Sequence, residues 1–90
     1  MAAEYDKMST AIIQRFIQML GADEAVRQAR RVPKLEVAAD GTVLSAVSLL
    51  EFSMLVRQFK TVGGSISVYF MKSAIAPLVP DGTILPEELR

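Results

Sequence analysis

The sequence predicts a mainly α-helical single domain spanning residues 1–90, with about four helices and one or two short β-hairpins at DGT turns. Three observations lead to this class. Apolar residues recur at three- and four-residue spacings in successive stretches, as they do along one face of a helix. Gly and Pro interrupt those stretches at positions that suit helix ends. Two nearly identical segments, "AADGTVL" (residues 38–44) and "VPDGTIL" (residues 79–85), place a turn dipeptide in each half of the chain.

The first helix is expected from Glu4 to Leu20, with Met8, Ile12, Ile13, Phe16, Met19 and Leu20 on one face and Gly21 as its stop. A second helix should begin near Asp23. The carboxylates of Asp23 and Glu24 suit its positive end, and Arg27, Arg30 and Arg31 suit its negative end. Pro33 disfavours helical geometry at Val32 and should close it. The period then changes to two, with Leu35 and Val37 alternating with polar neighbours. Asp40-Gly41 is a preferred pair for a two-residue type I′ turn, so Leu35 to Val37 is expected to face Thr42 to Leu44 in a short hairpin.

"SAVSLLEFSMLVRQFKT" reads as the third helix, with Ser48 and Glu51 spaced for a capping box and Ser45 an alternative cap one turn earlier. Leu49, Leu50, Phe52, Met54, Leu55, Val56 and Phe59 cover most of its circumference, the pattern of a helix buried on several sides. "VGGS" breaks it. The following "SISVYFMKSAIA" alternates like a strand at first, but Val68, Met71, Lys72 and Ile75 fit helical spacing. An internal repeat favours helix. Gly21 to Gly63 and Val26 to Val68 are both offsets of 42, and the two DGT turns are offset by 41, giving helix-helix-turn halves at 1–44 and 45–90. On that pattern Val43, Leu44, Ile84 and Leu85 could pair across a pseudo-twofold axis. Pro80 favours a type I form for the second turn, with Gly82 accommodating a bulge.

Two helices joined through "DGT(V/I)L", repeated about forty residues on, also resemble an EF-hand pair. In "DGTILPEEL", Gly82 stands where the family has its sharp bend, Ile84 where it has the inter-loop strand, and Glu88 where it has the final bidentate ligand. The first and third ligand positions, however, fall on Pro77 and Val79 in one loop and on Glu36 and Ala38 in the other, whose last position is Val47. The resemblance therefore implies a degenerate, calcium-blind EF-hand-like pair, with no metal site, because calcium takes six to eight oxygen ligands. "DGTVLSAVSLLEF" is also similar to the start of the second helix of an acyl or peptidyl carrier protein. Thr42-Val43-Leu44 stands in place of the Asp-Ser-Leu that carries the prosthetic group, which implies a carrier-like domain without a usable attachment Ser.

Composition narrows the function classes. Ten acidic and ten basic residues cancel, so the chain has no net positive field for phosphates, and nucleic acid is not the expected partner. There is no Cys for a disulfide or a thiolate ligand and no His for general-base work, and the Ser hydroxyls have no activating partner in the sequence. No pair of carboxylates is spaced to converge, and Gly63-Gly64 is not followed by the Lys and Ser/Thr of a phosphate loop. These features predict a non-enzymatic protein with no catalytic residues and no cofactor. No signal segment and no membrane span are expected, and a reducing, cytoplasmic setting fits.

Hydrophobic residues make up 51% of the chain and mean hydropathy is +0.32, high for a soluble domain of this length. Ile66, Val68, Tyr69, Phe70, Met71 and Ile75, added to the third helix, exceed what a small monomer usually buries. The expected function is a protein-protein interaction or oligomerisation module, regulatory or adaptor in kind, whose partner is another protein or a second copy of itself. Leu49, Phe52, Val56, Phe59, Val68, Tyr69, Phe70 and Met71 are the interface candidates. The alternative is a small nucleic-acid or phosphate-ligand binder using Arg27, Arg30, Arg31 and Lys34, four cations within eight residues.

Overall fold

A computed structural model describes residues 4–80 and 82–89. Asp81, the first residue of the second predicted turn dipeptide, lies outside the described residues. Four α-helices follow one another: α1 (Tyr5–Leu20), α2 (Ala22–Ala29), α3 (Leu49–Gly63) and α4 (Ser65–Ile75). Single 3₁₀ turns lie at Ala76–Leu78 and Glu87–Leu89. None of the described helices is long and apolar enough to cross a membrane.

The helices are joined in pairs by one residue each. Gly21 closes α1 and opens α2; Gly64 does the same between α3 and α4. In both corners the glycine N–H still bonds back four residues, to Ile17 at 2.9 Å and to Lys60 at 2.7 Å. The chain then turns at positive φ, +88° and +71°, where an L side chain is strained. The second corner therefore sits at Gly64 and not at Gly63, which makes the offset from Gly21 43. Gly63 serves α3 differently: a Cβ there would lie 2.9 Å from the Ser67 Cβ, because α4 folds back over the last turn of α3. The two adjacent glycines thus meet separate demands, close approach at Gly63 and backbone conformation at Gly64.

The third helix begins as its sequence predicts. The Ser48 hydroxyl accepts from the Glu51 N–H at 3.3 Å, and the Glu51 carboxylate accepts from the Ser48 N–H, so two free backbone donors are satisfied reciprocally. The second helix ends at Ala29, earlier than the Arg residues suggest, and Arg31 and Val32 continue in tighter turns to the Gln28 and Ala29 carbonyls.

The core is built around α1. Met8, Ile12, Ile13 and Phe16 of α1 meet Ala25, Val26 and Ala29 of α2, Phe52, Leu55, Val56 and Phe59 of α3, and Met71 and Ile75 of α4. The rings of Phe16 and Phe59 stack with centroids 4.3 Å apart. Val32, Leu35, Val37 and Val43 close one side of this core and Leu89 another. The tail is held by the Tyr5 hydroxyl, which donates to the Ile84 carbonyl at 2.6 Å, and by an Arg57–Glu88 ion pair at 3.3 Å.

The expected hairpins do not form; among the described residues there is no strand. The first DGT segment makes one antiparallel bridge, Val37 with Val43, flanked by Ala38 N–H to Thr42 O and Leu44 N–H to Glu36 O, both 2.8 Å. In a pair of this kind the outward N–H and C=O groups await a further neighbour. Here side chains take them: Arg30 donates to the Val37 carbonyl at 2.9 Å, and the Val43 N–H donates to the Thr10 hydroxyl at 3.0 Å. Beyond the bridge, the Ser45 hydroxyl accepts the Glu36 N–H, so no ladder propagates.

The turn is also not type I′. Only Gly41 has positive φ (+90°), and the Gly41 N–H bonds Ala38 O, leaving a three-residue loop of Ala39, Asp40 and Gly41. In the second segment the Thr83 N–H bonds Pro80 O at 3.2 Å. Pro80 is therefore the first residue of that turn, ahead of the position where its fixed φ would favour type I, and Gly82 at φ +80° stands third, as in a type II turn. Val43 and Leu44 do not pair with Ile84 and Leu85. Each segment is instead tied to α1, through Thr10 and Tyr5.

Candidate interaction face

Buried and exposed positions divide α4 sharply. Ser67, Met71 and Ile75, four residues apart, form its buried line. The opposite side carries Ile66, which is 63% exposed, and Tyr69, which is 72% exposed, with the half-buried Phe70 in edge contact with Tyr69 at 6.3 Å between ring centroids. Apolar side chains on both sides are the pattern the sequence suggests for α3, yet α3 buries Phe52, Leu55, Val56 and Phe59 on one side and leaves Leu50 and Val62 exposed at its ends. The radius of gyration, 11.6 Å, is near the roughly 12 Å expected of a compact chain this long, so the exposed rings do not come from a loosened fold.

Of the eight interface candidates, the structure gathers Tyr69 and Phe70 on this side of α4. Phe52, Val56, Phe59 and Met71 are fully buried within the chain, so in this fold they pack the core and are not surface available to a partner. Leu49 and Val68 are half-buried, Val68 against the core. Ile66 stands out only once α4 is placed, since periodicity alone does not say which side of an all-apolar helix faces inward.

Beside Phe70 lies a shallow cleft of about 330 Å³ between α1 and α4, lined by Ala11, Gln14, Arg15, Gln18 and Ala74. Arg15 is half-buried there and donates from Nη2 to the Ser73 hydroxyl at 3.3 Å. Its Nε is buried with no acceptor, and no described carboxylate pairs with it. Arg15 is not marked out in the sequence, because no other cation lies within seven residues of it.

The four clustered cations behave differently. Arg27 pairs with Glu24 one turn away, and this hydrogen bond is the main reason the Glu24 carboxyl is held below its usual range. Arg30 is engaged by the Val37 carbonyl through Nε and Nη2. Arg31 and Lys34 are exposed, with Lys34 in a left-handed conformation at φ +67°. Arg27 and Arg30 share a cleft of about 310 Å³ with Asp23, Ala22, Val26 and Ala39, so the basic patch contains an acid.

The other shifted carboxylates are likewise tied to local structure. Asp40 is lowered by the Thr42 N–H and then by the Thr42 hydroxyl, Glu51 by the Ser48 hydroxyl and N–H, and Glu88 by its own N–H and then by Arg57. Among the described residues no three acidic side chains gather as a metal cage would require. Compared with family models, curated proteins and solved structures, the chain matches none.

Proposed function

We propose that this domain is a non-enzymatic protein-interaction module whose contact surface is the outer side of α4. The observation that carries the reading is the exposure of Ile66 and Tyr69, beside Phe70, on a helix whose buried line is only three residues long. Large apolar side chains held together in water on a compact domain favour a surface that becomes covered. Aromatic anchors contribute most of the affinity where they are desolvated. Shifted carboxylates tied to a cap, a turn or an ion pair support a non-enzymatic role. The engagement of Arg27 and Arg30 within the chain weighs against the phosphate-binding alternative.

The test is a native mass measurement of the protein purified from its own cells, as wild type and with Ile66→Ser and Tyr69→Ser combined. The wild type should carry a protein partner or a second copy, and the variant should be monomeric with an unchanged circular dichroism spectrum. A wild type that is always a bare monomer refutes the reading.

A further inference from the structure

We infer that the α4 surface receives an acidic amphipathic segment of a protein partner, with apolar side chains on Ile66, Tyr69 and Phe70 and a carboxylate on Arg15. This rests on the interaction reading above and names the chemistry of the partner. The chain is neutral overall, but its charges are segregated. Residues 7–22 and 52–80 contain no Asp or Glu; of their cations, Lys7 and Arg57 reach Glu4 and Glu88 outside these runs, whereas Arg15 meets no described carboxylate. Both helices that border the cleft, α1 after Asp6 and all of α4, fall in these acid-free runs.

Arg15 is the cation at the centre of this surface. Its bond to Ser73 places the guanidinium one turn beyond Tyr69 and Phe70 on α4, so cleft and rings form one continuous patch. A half-buried guanidinium with Nε desolvated and no described carboxylate beside it is an incomplete site, because such groups are normally hydrogen-bonded and paired. A partner carboxylate would accept from the exposed Nη side of the guanidinium and supply the missing counter-charge. The cleft walls, Ala11 and Ala74 with the amides of Gln14 and Gln18, leave room for a backbone and offer donors to it. A second copy of the chain fits less well, since a two-fold contact centred on this cleft would bring the Arg15 side chains of both copies towards one another, and none of the described ion pairs supplies an acid to Arg15.

The experiment selects random linear peptides displayed on phage against the immobilised full-length chain. Binders are then mapped by amide chemical shifts, and their affinities are measured for wild type, Arg15→Gln and Arg15→Glu at low and high salt. Enriched peptides are expected to combine Asp or Glu with apolar residues at helical spacing and to shift amides of α1 around Arg15 and of α4. They should lose about tenfold in affinity with Arg15→Gln and more with Arg15→Glu, and weaken with salt. Both variants should keep the wild-type dichroism; Arg15→Lys, which retains charge but not the fork, serves if either does not, and should bind more weakly than wild type.

Apolar peptides that lack acids, map to the same amides and ignore Arg15 would overturn this inference while leaving the α4 reading intact. Peptides that map elsewhere, or no enrichment, would overturn this inference, and the α4 reading falls with it only if the wild type is also a bare monomer by native mass. Vesicles of phosphatidylglycerol and phosphatidylcholine shifting these amides when no peptide does, or a dimer formed through this surface, would replace the acidic segment with another occupant and overturn the inference.

Discussion

Replacing Gly41 with Ala tests whether the first DGT turn is fixed by contact with α1 and not only by its own conformation. The backbone there has φ +90°, and an added Cβ would fall 2.7 Å from Ile17 Cδ1 and 3.0 Å from Ile13 Cγ2. Ile17 Cδ1 is the end of a side chain and can swing away. Ile13 is fully buried, and its Cγ2 is fixed by a β-branched carbon, so relief there requires the turn or the helix to move. Conformational strain contributes about 1–2 kcal/mol and overpacking of this kind about 1–3 kcal/mol. The stiffer unfolded chain returns about 0.4–1 kcal/mol, leaving a net loss of roughly 2–3 kcal/mol.

Gly82 is the control: its φ is +80°, but nothing lies within 4 Å of the added carbon, so Gly82→Ala should carry the strain alone. The two variants should differ by about 1–3 kcal/mol in urea unfolding followed by far-ultraviolet circular dichroism, and by roughly 4–24 °C in Tm. If Gly41→Ala is no less stable than Gly82→Ala, the turn is not packed against α1 as described.

Ser48→Ala should cost about 1 kcal/mol by removing the cap of α3. Because Ser48 holds the Glu51 carboxyl below its ordinary range, that stabilisation is present above the unfolded glutamate value, near 4.3, and is lost as pH falls through the folded value. The gap between wild type and variant in urea should therefore narrow on acidification from about pH 5 to pH 3; a gap that widens would contradict the assignment. Ser9→Ala removes a fully buried hydroxyl that has no hydrogen-bond partner, so it should be neutral or stabilising by up to about 1 kcal/mol. A clear loss of stability on the same assay would mean that the hydroxyl is satisfied after all.

Local signals in the sequence translate directly into structure. The run from Met8 to Phe16 gives the α1 core line, and Ser48 with Glu51 gives the start of α3, because spacing and capping act within a few residues. The repeat, more than periodicity, identifies α4, whose outer apolar residues blur its helical pattern. The first hairpin stops at one bridge because the Ser45 hydroxyl takes the Glu36 N–H, and the outward groups that would recruit a further strand are taken by Arg30 and Thr10, 7 and 33 residues away in sequence. The interface candidates also divide by contacts distant in sequence. Phe59 is buried because Phe16 stacks on it from 43 positions earlier, while Tyr69, also aromatic, meets no ring from another helix among the described residues. Arg15 becomes significant only when α4 brings Ser73 to it.

The one-residue corners also constrain how the gene can vary. A helix advances about 100° per residue, and a corner of one glycine has no slack to absorb a change in length. An inserted codon at Gly64 would turn α4 by about 100°, so that Ile66, Phe70 and Ala74 took the core-facing places of Ser67, Met71 and Ile75. Insertions and deletions should instead accumulate between Leu44 and Ser48, where the backbone is not shared between two helices. In descendants of this chain, length should therefore vary in the middle of the sequence, while the spacing from α1 to α2 and from α3 to α4 stays fixed.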